Sequence, residues 1–148
     1  MGHILKVQPV LKEKIWGGTK LRDVYGYDIH IITAALKGRA THFALSDKIT
    51  LHDVGVSEKF MLHAYGRRLN KILCEIRPDI CVSVGGRDIF CLPSCTDGSI
   101  KVSEFHFSHD KYAVKYGGSF FGNIYARFRM RQIEKVAAKL DKFIVLTK

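Results

Sequence analysis

The sequence predicts an α/β domain with a mostly parallel sheet and flanking helices, and three observations carry that expectation. From Tyr27 onward, short apolar runs alternate with amphipathic stretches. The intervening segments are long enough for the crossover connections that parallel strands require. The last two stretches, a helix over Asn123–Leu140 and a strand over Asp141–Thr147, show the two periodicities side by side.

Taken in order, Asp28–Thr33 (D-I-H-I-I-T) reads as a strand and Ile49–Val56 as a second, alternating one. The polar, irregular Ala34–Lys48 between them reads as a surface loop. Within Glu58–Ile76, the residues Leu69, Ile72, Leu73 and Ile76 recur at helical spacing on one face. Arg67, Arg68, Lys71 and Glu75 lie elsewhere on that helix. Pro78 disfavours helical geometry at Arg77 and so ends it. Asp79–Val84 is a short apolar strand, Gly85-Gly86 its turn, and Arg87–Ser94 a short helical segment that Pro93 disrupts. Asp97-Gly98 marks a turn before the alternating strand Ile100–Phe107. Gly117-Gly118 sits in an aromatic-rich connection. In Asn123–Leu140 the expected inward residues are Ile124, Phe128, Ile133, Val136, Ala137 and Leu140, with Arg127, Arg131, Lys135 and Lys139 outward.

A chain of 148 residues suits one domain with a core of its own. Its 47% apolar and 26% charged content predicts a soluble folded domain and excludes an intrinsically disordered one. No apolar run approaches the roughly 20 residues that cross a bilayer. The opening lacks a signal peptide's apolar stretch, so a cytoplasmic location is expected. Lys and Arg outnumber Asp and Glu by 24 to 14, for a formal charge of +10. That excess favours anionic partners without choosing among nucleic acid, acidic lipid and phosphorylated substrate. Cys74, Cys81, Cys91 and Cys95 read as reduced, largely buried thiols. Cys91 and Cys95 have C-x3-C spacing but no complementary pair to complete a tetrahedral site, so no metal is assigned and zinc stands as the weaker alternative.

The series R-P-D-I-C-V-S-V, D-G-S-I-K-V-S-E-F-H-F, a basic amphipathic helix and D-K-F-I-V-L-T resembles the N-terminal domain of family 4 glycosyltransferases. The matching positions are Pro78-Asp79, His106 and Asp141–Thr147, and Gly26–Thr33 is similar to the family's second strand. The likeness spans Tyr25–Lys148. It implies a Rossmann-like, incomplete GT-B N-terminal domain over residues 26–148, the acceptor-side half of a glycosyl transfer enzyme. In such enzymes a sugar nucleotide is bound mainly by a second domain, which in family 4 carries E-x7-E. The glutamates here are Glu13, Glu58, Glu75, Glu104 and Glu134, and no two stand eight apart. The resemblance therefore implies a truncated chain, inactive alone, with no cofactor of its own and with a partner chain supplying the second domain. The opening departs from that pattern. Residues 1–25 read as a divergent or isomerase-like leader, because Leu5–Asp28 is similar to the start of class I mannose-6-phosphate isomerases. Ile15, Trp16, Gly17, Gly18 and Leu21 carry that likeness. The zinc ligands of that family come from a later Gln-x-His and further Glu and His residues, none recognisable after Asp28, so no isomerase site is carried over.

His106 is the first candidate for chemistry. It ends a strand, and ligands of parallel α/β sheets collect outside the strands' carboxyl ends. The resemblance places it near the transferred sugar, where a histidine can orient or polarise. Packing between Phe105 and Phe107 is the alternative. Glu104 shares the side of His106 by alternation and either fixes its tautomer or is an ordinary strand carboxylate. Gly85 and Gly86 permit close backbone approach to substrate, or simply turn the chain. His109 either reaches an acceptor's hydroxyls or begins a surface loop. Arg127, Arg131 and Lys135 either face an anionic membrane or form a solvated helix face. Phe120, Phe121, Tyr125 and Phe128 either dip into that interface or pack in the core. The expected partners are a sugar acceptor, lipid-linked in one version, and the inner face of the cell membrane. Specific nucleic-acid binding is not expected, because the aromatics form no RNP-like stripe. An isomerase fragment and a non-catalytic basic membrane- or RNA-binding module stand as alternatives.

Overall fold

Strand β1 (His3–Val7) is followed by β2 (Asp28–Thr33) and β3 (Thr50–Asp53). Helix α1 (Leu62–Ile76) then leads to β4 (Ile80–Ser83). Two 3-10 turns, Arg87–Phe90 and Leu92–Ser94, precede β5 (Ile100–Phe105). Helices α2 (Lys111–Tyr116) and α3 (Phe120–Ala137) lead to β6 (Lys142–Val145). This computed structural model describes residues 3–7, 23–34, 47, 49–56, 61–84, 86–105, 111–116 and 118–145.

The strands form one sheet in the order β3-β2-β1-β4-β5-β6, and every pairing is parallel. The chain is thus an α/β, Rossmann-like fold, as the alternation of runs predicted. From β3 onward each successive strand is added on the β4–β6 side. The right-handed crossover rule then puts α1, the 3-10 turns and the α2–α3 pair on one face. There Ile32, Val54, Tyr65, Leu69, Leu73, Cys81 and Leu92 form a buried cluster. A second cluster, Ile29, Ile31 and Ile49 with Tyr27 and Leu51 against it, is built from alternate positions of β2 and its surroundings.

Several expectations meet the structure closely. Helix α1 ends where Pro78 requires: Arg77 takes a left-handed conformation (φ 51°) and its N–H donates to the Leu73 carbonyl at 2.8 Å. Pro93 falls in a run of 3-10 turns, which replaces a full helix between β4 and β5. Strand β1 and helix α2 were not legible. Five residues of β1 are too few to show a period, and the strand forms by pairing with β2 and β4 at once.

The orientation of α3 corrects the sequence reading. Ile124 and Phe128 were expected inward but are 51% and 56% exposed, whereas Ala126 and Ile133 are buried. The cause is a close helix crossing. A Cβ on Gly122 would collide with the backbone carbonyl of Tyr116 at the end of α2. Small residues, Gly122 and Ala126, stand on the helix side at this crossing, and Ile124 and Phe128 turn outward. The helix also starts three residues earlier than expected, because the Ser119 hydroxyl accepts from Gly122 N–H at 3.0 Å and caps it. Replacing Gly122 with Ala should therefore pry α2 from α3 and cost about 2 kcal/mol. Urea denaturation checks this; an unchanged midpoint would contradict the crossing.

Candidate functional site

In an open parallel sheet, the place to look is the carboxyl edge where neighbouring strands send their chains in opposite directions. Here that reversal falls between β1, which continues to β2, and β4, which continues to β5. Val7 and Ser83 are partners at this edge. After β4 the chain runs through the buried Val84 to Gly86, Arg87 and the buried Asp88. One strand further, Ser83 pairs in register with Ser103. Both serines are fully buried, and their hydroxyls have no hydrogen-bond partner among the described residues.

Of the candidates, Glu104 lies in this region. It is the next-to-last residue of β5, half-buried, in register with Ile144 of β6. Alternation puts it on the sheet face opposite Ser103 and Lys101. Gly86 begins the first 3-10 turn with φ −91°, a conformation open to any residue, so the backbone there does not itself require glycine. His106, His109 and Gly85 lie outside the described residues. Arg127, Arg131 and Lys135 are exposed on α3, apart from the strand ends.

At the opposite, amino end of the sheet lies a polar group that the sequence reading missed. Lys101 is buried, with its ammonium 2.5 Å from the Asp97 carboxylate and 2.6 Å from the Ser99 hydroxyl. Burial pushes the Asp97 carboxyl up, but hydrogen bonds from Lys101 and Ser99 and the Lys101 charge outweigh it and hold the group below its ordinary value. Asp141 accepts from Lys101 N–H at 2.7 Å, and its own N–H donates to the Lys101 carbonyl at 3.0 Å. The aspartate of the D-K-F-I-V-L-T motif thus clamps the exit of α3 to β5. These groups hold the sheet together at the edge away from the crevice.

Cys74, Cys81, Cys91 and Cys95 are free cysteines. Burial, together with the nearby Asp88 charge, pushes the Cys91 thiol up to about 11. Burial alone is the leading reason that Cys95 rises to about 12. Neither presents much thiolate near neutrality. Among the described residues no three His, Cys, Asp or Glu side chains gather as a metal site would need.

A second titratable cluster sits across β2 and β3. His30 Nδ1 and His52 Nε2 are 2.9 Å apart with stacked rings, and Asp28 lies 3.6 Å from His30 Nε2. One ring must donate and the other accept, so the contact needs a neutral imidazole.

No family model matches the chain. A 29-residue segment, 20% of this chain, is 62% identical to a protein of Bacillus subtilis (strain 168) described as probable mannose-6-phosphate isomerase GmuF. The segment covers 9% of that relative, so the chain spans less than a tenth of its length at this likeness. The chain thus carries a short segment similar to a mannose-6-phosphate isomerase, and the comparison brings no support to the glycosyltransferase resemblance. Among the described residues no helix is long and apolar enough to cross a membrane.

The histidine pair gives a pH dependence of known sign. Burial first, then the His30 charge, lowers the His52 pKa below its ordinary value. The unfolded chain therefore takes up the proton first as pH falls. The stability contributed by His52 is present above about pH 6.5 and is lost as pH drops through the lowered folded value. Thermal unfolding between pH 7 and pH 5 should show a steeper loss for the parent chain than for His52→Asn; parallel slopes would remove His52 as the cause.

Proposed function

We propose that these residues form the acceptor-side domain of a glycosyl transfer enzyme working at a membrane surface. The observation that carries the reading is where the motif residues fall in a doubly wound sheet. Pro78-Asp79 leads into β4 and Asp141 into β6 at the amino end of the sheet, so that both strands run toward the carboxyl edge where the reversal point lies. Glu104 stands near the carboxyl end of the strand between them. That edge is where such folds hold ligands. Sugar-nucleotide binding is assigned to residues other than these, since the glutamate pair of the donor half is absent from this sequence. Saturation-transfer NMR should therefore detect oligosaccharide acceptors on the 148-residue chain and no sugar nucleotide. Glu104→Gln should weaken saccharide binding about tenfold, the cost of a charge-assisted hydrogen bond. Sugar-nucleotide binding without saccharide binding would overturn the assignment.

The outer face of α3 supports the membrane part. Phe121, Ile124, Tyr125 and Phe128 recur at helical spacing, and all are exposed, Phe121 at 81%. The same stripe continues into Arg131 and Lys135, with Arg127 beside it. Apolar rings next to cations suit the boundary of an anionic bilayer. Each Lys or Arg near such a surface contributes about 1 kcal/mol. Changing Arg127, Arg131 and Lys135 together to Gln should weaken co-sedimentation with phosphatidylserine vesicles on the order of a hundredfold. Equal binding to phosphatidylcholine vesicles, or no effect of the triple change, would sink this part alone.

The alternative of an isomerase fragment rests on the 62% identical segment. It predicts interconversion of mannose 6-phosphate and fructose 6-phosphate by the chain, and a coupled assay decides it.

A further inference from the structure

Between α1 and the two 3-10 turns lies a cavity of about 480 Å³, within the ordinary range for small-ligand sites. It exists because the β4–β5 crossover is a pair of short turns where a full helix would fill the layer. Leu62, Gly66, Phe90 and Cys91 supply apolar wall, while His63 and Arg67 stand one helical turn apart on the α1 side.

We propose that this cavity binds a small amphipathic anion, its apolar body against Leu62, Phe90 and Cys91 and its acidic group facing Arg67 and His63. The inference does not rest on the glycosyl transfer reading. Its walls are tied together at both ends. At one end the Cys91 S–H donates to the Leu62 carbonyl at 3.5 Å. At the other, Asn70 accepts from Thr96 N–H at 2.8 Å. Gly66 keeps the wall close, because a Cβ there would stand 3.0 Å from Cys91 Sγ and the thiol would have to give by a few tenths of an ångström. The site is thus formed before any ligand arrives, which lowers the cost of binding.

The charge of the site points to an anion. Arg67 is exposed and makes no ion pair or hydrogen bond with the described residues. Arg129 of α3 adds a second guanidinium, 5.6 Å from the Phe90 ring centroid. The one carboxylate between Ile80 and Thr96, Asp88, is buried next to Arg87. Because burial keeps the Cys91 thiol protonated near neutrality, that wall is neutral and soft. An uncharged apolar ligand would leave Arg67 unused, and a fully polar anion would leave the Leu62–Phe90 wall unfilled.

The probe is 8-anilinonaphthalene-1-sulfonate, an aromatic body with one fixed negative charge, titrated by fluorescence against the full chain. Its uncharged counterpart N-phenyl-1-naphthylamine is the control. One saturable site is expected. Arg67→Glu should weaken the sulfonate by about tenfold or more and leave the neutral dye within about twofold. Leu62→Trp, which fills the cavity, should abolish both. Hexyl phosphate should displace the sulfonate from the unmodified chain while hexanol at equal concentration does not, a readout that needs no variant to fold. Unsaturable dye binding, equal displacement by hexanol, full binding by Leu62→Trp, or identical sulfonate affinity in a folded Arg67→Glu would each overturn the proposal.

Discussion

Strand β1 hydrogen-bonds to β2 on one side and to β4 on the other, so five residues, His3–Val7, join two parts of the sheet. Without that strand β2–β3 and β4–β6 would be separate ribbons, each with a bare backbone edge. The reversal that defines the candidate crevice also exists only because β1 and β4 are neighbours. A parallel sheet is stable when both of its faces are covered. Here one cluster centres on Ile32, Tyr65 and Leu69 and another on Ile29, Ile31 and Ile49.

Two glycines then decide which surfaces stay open. Gly66 lets the 3-10 turns lie close against α1, which seals the core at Leu92 yet leaves the layer too thin to fill the space beside it. Gly122 lets α3 cross close to α2, which uses the small face of the helix for packing and turns its aromatic residues outward. At Gly66 the close neighbour is the Cys91 side chain, and at Gly122 it is the Tyr116 backbone carbonyl. The cavity and the aromatic stripe are consequences of that close packing.

Much of the fold was legible because long periodic segments report themselves. The α1 face of Leu69, Ile72, Leu73 and Ile76, its stop at Pro78 and the α3–β6 pair could all be read from spacing. What periodicity cannot report is which of two apolar faces a helix buries. Ile124 and Phe128 look like core, and only the Gly122–Tyr116 crossing shows that they are not. The candidate site was legible in part. Alternation gave Glu104 a sheet face but not its place next to the last residue of β5, and the buried Lys101–Asp97–Ser99 group depends on contacts that no motif spells out. No motif marks Lys101; its ammonium is buried because Asp97 and Ser99 solvate it in place of water.

Cations among the described residues fall into two groups. Lys101 is neutralised inside the protein, Arg68 donates to the Val54 carbonyl at 3.2 Å, and Lys71 sits 3.9 Å from Glu75 on the surface. Those cations belong to the fold. Arg67, Arg127, Arg131 and Lys135 are exposed, and they lie beside apolar surface, the first next to a cavity and the others next to outward-facing aromatic rings. An isolated surface cation is well solvated and needs no partner. A cation held against apolar surface favours a partner that is both anionic and apolar, since only such a molecule satisfies the charge and covers the hydrocarbon together. Simple polyanions such as nucleic acid meet the first demand and not the second. The same physical logic thus links the two proposals, an amphipathic anion at the α1 cavity and an anionic membrane surface at the α3 stripe.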